Sequence, residues 1–286
     1  MQFMIFRKAD RDTEAGMMPG AEVQQAIREY SQQLADAGIM RGCEGLQPSA
    51  KGVRMRLSSG RATIVDGPFI ETKELIAGFS IIDVASKQEA IDWASRWPWL
   101  DGGGNVELEI REAGCPGGCA EVEAAATADA QGKRFVVLLR SSADLENEVP
   151  VPREKLDALD ANNAAEAKAG VLLAADGLRS SARGARVRIA AGKASVIDGP
   201  FTEIKEMIAG YWMIRAASLQ DAVEWARRNP YPTGPEVEVE IRQVYEMDDF
   251  GAEFTPALRE AEQRMRAQQL ESGMRDQLAA APAAWR

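Results

Sequence analysis

The chain of 286 residues contains no histidine and only three cysteines. Without histidine, the side chain that most often moves protons near neutral pH and the commonest nitrogen ligand for metals are both missing. Any chemistry would run on carboxylates, Lys, Tyr, Cys or a cofactor. Cys43, Cys115 and Cys119 fall short of the four ligands of a structural zinc site. Cys115-Pro-Gly-Gly-Cys119 stays open between a disulfide or redox pair and an ordinary linker turn. Long apolar runs are also absent. None approaches the ~20 residues of a membrane span, and the apolar start Met1-Gln-Phe-Met-Ile-Phe6 is too short for a secretory signal. A cytoplasmic protein without a membrane partner is expected. Basic surplus is lacking too, with 34 Lys and Arg against 44 Asp and Glu and a net charge of −10. That balance argues against a nucleic-acid surface and favours simple solubility. No metal or cofactor is called for.

What is present is a repetition. Asp66-Gly-Pro-Phe-Ile-Glu-Thr-Lys-Glu-Leu-Ile-Ala-Gly-Phe79 returns as Asp198-Gly-Pro-Phe-Thr-Glu-Ile-Lys-Glu-Met-Ile-Ala-Gly-Tyr211, a step of 132 residues. Phe3 and Phe135, Gly38 and Gly170, Gly60 and Gly192, Trp93 and Trp225 keep the same step. One unit large enough for its own core, occurring twice, predicts two similar domains that pair about a pseudo-two-fold axis. With 45% hydrophobic residues the chain can furnish two cores.

Each copy opens on a short apolar strand, Phe3 to Phe6 and Phe135 to Leu139. A helix follows, with Val23, Ile27, Tyr30 and Leu34 at helical spacing and Gly38 or Gly170 as the C-terminal stop. The pairs Val53–Leu57 with Arg61–Val65, and Arg186–Ile189 with Ala194–Ile197, read as hairpins that exit through Asp-Gly-Pro-Phe. A longer strand (75–84, 207–215), a second helix (87–97, 219–229) capped by Ser86 or Ser218, and a last alternating strand (106–111, 237–242) complete the unit. The order β-α-β-β-β-α-β predicts an α+β fold: two ferredoxin-like domains joined as an intramolecular pseudo-dimer, their sheets covering each other across a cleft. The expected boundaries are 1–112 and 133–250 for the domains, 113–132 for a flexible linker, and 251–286 for a C-terminal helix and tail.

The repeated Asp-Gly-Pro-Phe-x-Glu-x-Lys-Glu segment after a central hairpin resembles the YCII-related family, in its DGPF-domain branch. Copy two is the closer match, through Ala169–Leu178, Ala222-Val-Glu-Trp-Ala226 and Glu240–Phe250. The resemblance implies the dimeric α+β barrel fold, made intramolecular by tandem fusion. Some members of the wider family look like enzymes with a His-Asp pair, a mechanism this chain cannot share. Branch members are linked with alternative sigma factors, which implies regulatory or stress-related company.

Several residues are candidates for chemistry. Asp66 and Asp198 follow apolar strands and precede Gly-Pro turns, where they serve as bases or as turn-forming Asx residues. Lys73 and Lys205, amid Glu71, Glu74, Glu203 and Glu206, suit an anion or an exposed ion-pair cluster. Arg54, Arg56, Arg186 and Arg188 alternate with apolar residues, either facing a cleft or forming the wet side of a strand. The first helix of copy two puts Asn162 and Glu166 where copy one has Tyr30 and Leu34. Either Glu166 is a base in a polar pocket with Asn162 or Asn163 orienting a ligand, or the helix turns Glu166 outward and buries Leu156, Leu159 and Ala167. Trp212 and other aromatics read as core or as the wall of an apolar site.

Together these features predict a small organic ligand in the cleft between the domains, with metal-free isomerase- or lyase-like acid/base chemistry at Asp66, Asp198 or Glu166. The alternative is a non-catalytic regulatory module that meets a protein partner, or another copy of itself, through its C-terminal helix.

Overall fold

The computed structural model describes residues 1–69, 74–123, 132–253 and 264. Its architecture is α+β, with one antiparallel sheet of six strands and one of seven. In the first half, β1 (Gln2–Lys8) is followed by the short α1 (Arg11–Glu14), α2 (Ala21–Asp36) and β2 (Met40–Gly45). The hairpin β3 (Val53–Ser58) and β4 (Arg61–Asp66), then β5 (Ile76–Asp83), α3 (Lys87–Ala94) and β6 (Asn105–Glu112) complete it. A two-strand-residue segment β7 (Val122–Glu123) lies in the connector. The second half repeats the order as β8 (Lys133–Arg140), α4 (Ala143–Glu146), α5 (Arg153–Lys168), β9 (Leu172–Gly177), β10 (Ala185–Ala190), β11 (Lys193–Asp198), β12 (Ile208–Ala216), α6 (Leu219–Arg228) and β13 (Glu236–Gln243). Ser86 and Ser218 cap α3 and α6, accepting from the amides of Glu89 and Asp221 as their spacing predicts.

The strand order reveals an exchange. The sheets run β11-β10-β6-β1-β5-β2 and β4-β3-β13-β8-β12-β9-β7. Each half supplies four adjacent strands, and its hairpin extends the sheet of the other half. Thus β3 pairs with β13 and β10 pairs with β6. The registers set Arg54 opposite Glu240 and Arg56 opposite Glu238, and Arg186 opposite Glu109 and Arg188 opposite Glu107. Opposite charges facing each other across strands stabilise this pairing. Two bridges close the corners, Leu46 to Val244 and Ala113 to Leu178.

Central strands β1 and β8 are apolar without alternation because both of their faces are buried. Phe3 and Ile5 face α3, together with Val187 and Ile189 of the visiting hairpin. Phe135 and Val137 face α6, together with Val53 and Met55. Met4 and Phe6 meet Val136 and Leu138 between the sheets, where Phe79, Tyr211, Ile208 and Met213 fill the middle. The arrangement fits an intramolecular pseudo-dimer.

Of the segment expected as a flexible linker, 113–132, the structure describes residues 113–123 and 132. Its described part, to residue 123, is tied to the second half by the Ala113 bridge to Leu178 and by β7 against β9, and a disulfide between Cys115 and Cys119 closes a small loop within it. Among the described residues, no helix is long and apolar enough to cross a membrane. The C-terminal helix expected beyond residue 256 lies outside the described residues, apart from Arg264.

Candidate functional site

The repeated Asp-Gly-Pro-Phe is a docking turn. Phe69 donates its amide to Ser49 Oγ at 3.2 Å, and Phe201 donates to Ser181 Oγ at the same distance. Each serine is held in turn by a carboxylate from a short helix, Glu14 for Ser49 and Glu146 for the Ser181 amide. The docked rings cover guanidinium groups, Phe69 over Arg54 and Phe201 over Arg186, each 4.3 Å away. Asp66 and Asp198 themselves are exposed at the hairpin exits, where Asp198 pairs with Lys87 at 2.7 Å.

Beneath those rings lie two equivalent charge clusters. Glu109 is buried and receives Lys8 at 2.9 Å, Arg186 at 3.0 Å and Arg111 at 3.4 Å. Glu240 is buried among Arg140, Arg242 at 2.9 Å and Arg54 at 3.1 Å. Burial alone would raise either carboxyl. The surrounding cations win and hold each down to about 2. Arg54 and Arg186 therefore neutralise internal carboxylates from the visiting hairpin. Arg56 and Arg188 face outward, to Glu236 at 2.7 Å and Asn105 at 3.2 Å. Lys205 is exposed, and Lys73 and Glu71 lie outside the described residues.

The cleft expected in the middle of the inter-sheet space is occupied by side chains. A cavity of about 280 Å³ instead lies between α2 and the β2–β5 edge of the first half, reaching Tyr245, Met247 and Phe250 after β13. Arg7, on the helix-facing side of β1, forms its ionic floor with Asp101. Arg7 Nε and Nη2 donate to the two Asp101 oxygens at 3.0 and 2.8 Å, while Nη2 also reaches Asp10 at 2.7 Å. Trp97 Nε1 and the Gly102 amide donate to Asp101 at 2.8 and 2.7 Å. Burial works against the Arg7 charge, but these carboxylates more than offset it and hold the guanidinium pKa above its ordinary value. From α2 come Gln24, Ile27, Arg28 and Ser31; from the sheet edge come Cys43, Glu44 and Ser80. Glu44 is paired with Arg134.

The second half has the same location but little space, about 40 Å³. Trp212 stands where the first half has Ser80, and its indole donates to Asn163 Oδ1 at 3.2 Å, the position of Ser31. The turn of Cys115, Pro116, Cys119 and Ala120 closes the rest. Leu139 and Thr233 replace the Arg7–Asp101 pair. Asn163 is buried with Leu156 and Leu159 along α5 and lines the small second-half cavity, while Ala167 is half-buried. Glu166 is half-buried and accepts from Trp225 Nε1 at 3.2 Å, and Asn162 donates to Asn229 at 3.3 Å. Sequence-singled Asn163 and Trp212 thus meet as the filling of a closed site, while Asp66, Asp198 and Glu166 are not brought together. Arg28, Ser31, Ser80 and Cys43 went unmarked, although comparing the two copies at Ser80 and Trp212 holds the signal.

The model of the YCII-related domain matches residues 1–113 and again 135–248. A 76-residue stretch, 26% of the chain, is 37% identical to an uncharacterized protein of Rhizobium meliloti (strain 1021). The chain spans 61% of that relative's length.

Proposed function

The chain belongs to the YCII-related domain family in both of its halves, and from that premise we propose that it binds a small organic molecule in the first-half cavity, its second copy having become a closed, structural partner. The carrying observation is the contrast at one location, about 280 Å³ beside Ser80 and about 40 Å³ beside Trp212. Small-molecule sites are mostly apolar concavities with a few convergent polar groups, and the first-half cavity has that character. A buried ion pair such as Arg7–Asp101 is seldom worth more than uncharged packing of the kind that replaces it at Leu139 and Thr233. Its retention beside the cavity supports a functional role there. The docked turns support membership of the DGPF branch, and the two facing sheets support the dimeric α+β barrel type.

Binding is favoured over acid/base chemistry at Asp66, Asp198 or Glu166, because none of these carboxylates lines the cavity. The test is to close the open site with the residue of the closed one. N-phenyl-1-naphthylamine, a neutral apolar fluorophore, is expected to brighten with the wild-type chain and to do so several-fold less with Ser80→Trp at unchanged far-ultraviolet circular dichroism. Equal brightening with the two proteins, or none with either, would remove the reading.

A further inference from the structure

We propose that the ligand of the first-half cavity is an organic monoanion, a carboxylate carried on an aromatic or similarly compact apolar body, with Arg28 as the residue that receives the carboxylate. This rests on the ligand-binding reading of that cavity and adds the chemical class.

Four charged side chains line the cavity, and three already have opposite partners. Arg7 and Asp101 satisfy each other at 2.8 Å, and Glu44 is held by Arg134. Arg28 is different. It makes no ion pair or hydrogen bond with any other residue among those described. Ser31, one helical turn further along α2, shares its face of the helix. The residue is 5% exposed overall and lines the cavity, and its hydroxyl likewise makes no hydrogen bond among the described residues. Its hydroxyl is open to the cavity and available to an occupant as a donor. A guanidinium and a hydroxyl side by side, both donors, call for an acceptor that carries charge.

The closed half shows what these positions do when no ligand is needed. Arg28 corresponds to Asp160, whose carboxylate accepts the Ala120 amide at 3.1 Å and so pins the plugging turn. Ser31 corresponds to Asn163, which is bonded to Trp212. There the protein provides both partners; in the first half, the same two positions present unmatched donors to an open space. One unpaired cation matches one negative charge, which selects a carboxylate over a phosphate dianion. Met17, Met18, Ile27, Trp97 and Phe250 then line the space for an apolar body.

The experiment is calorimetric titration of the full chain with 2-naphthoate and with its neutral isostere 2-naphthamide. The wild-type chain is expected to prefer the naphthoate by about tenfold, the lower range for a hydrogen-bonded charge pair. Arg28→Gln is expected to abolish that preference while keeping the wild-type affinity for naphthamide. Arg56→Gln, at an exposed side chain of β3 away from the cavity, is expected to retain the preference. Equal wild-type affinity for the two probes, or a preference that survives Arg28→Gln, would overturn the carboxylate assignment and leave the cavity as a neutral-ligand site. Binding of neither probe would overturn this assignment and the binding reading together.

Discussion

Glu240 is a residue whose sequence context says little and whose surroundings say much. In Val237-Glu-Val-Glu-Ile it reads as the wet face of a strand. In the folded chain it is 1% exposed, because the visiting hairpin and its docked phenylalanine cover it. Removing its charge leaves Arg54, Arg140 and Arg242 facing a neutral group in a buried site. Glu240→Gln is expected to cost about 3–5 kcal/mol in denaturant unfolding. The pH dependence has a definite sign. With a folded pKa of about 2 against an ordinary 4.5, the Glu240 contribution is fully present above pH 4.5 and is lost as pH falls toward 2. Asp176 runs the other way. Burial, then nearby Glu121, raise it from 3.8 to about 7, and the amides of Gly177 and Gly114 only partly compensate. The folded chain holds that proton more tightly than the unfolded chain, so between those values this group's contribution to stability declines as pH rises. Asp176→Asn is expected to raise the melting temperature at pH 8 and leave it nearly unchanged at pH 4. A shift of equal size at the two pH values would contradict the assignment. None of this was legible locally, since burial of an acid depends on which segment covers it.

Elements with strong patterns were legible. The helices from Lys87 and Leu219 carry their serine caps, and the hairpins follow their alternation. Strand β2 was missed, because Met40-Arg-Gly-Cys-Glu-Gly45 has almost no β-forming residues and owes its extension to pairing with β5. The repeated Gly-Pro illustrates a constraint imposed between elements. A β-carbon added to Gly67 would lie 1.9 Å from the Ser49 carbonyl oxygen, and one at Gly199 the same distance from that of Ser181. These are contacts with backbone, so no rotamer change relieves them. Gly67→Ala is accordingly expected to lift the turn from its dock and destabilise the protein by ~1–3 kcal/mol or more, measurable as a lower unfolding midpoint. Loss of the Phe69 cover would accompany it, seen as faster hydrogen exchange over β3 and β4.

At the scale of the molecule, the hairpin exchange makes each half dependent on the other. A chain cut to residues 1–113 has β6 without its outer neighbour and a hairpin without a host sheet. It is expected to be dimeric in sedimentation, with two copies trading hairpins, and a stable monomer would contradict this. Duplication, the strand–helix order and the charge complementarity of Val53-Arg-Met-Arg-Leu57 with a Val-Glu-x-Glu-Ile strand are all written in the residues. Yet that complementarity is blind to partner, since β3 would match β6 of its own half as well as β13 of the other. Geometry makes the choice. The chain leaves β2 at the edge of its sheet farthest from β6, and at Leu46 it is already bridged to Val244 beside β13. The same division holds for the site. Local pattern carries the repeat and its substitutions, while closure of one cavity and retention of the other follow from where Trp212 and the Cys115–Ala120 turn come to rest, a matter of long-range packing that no local pattern encodes.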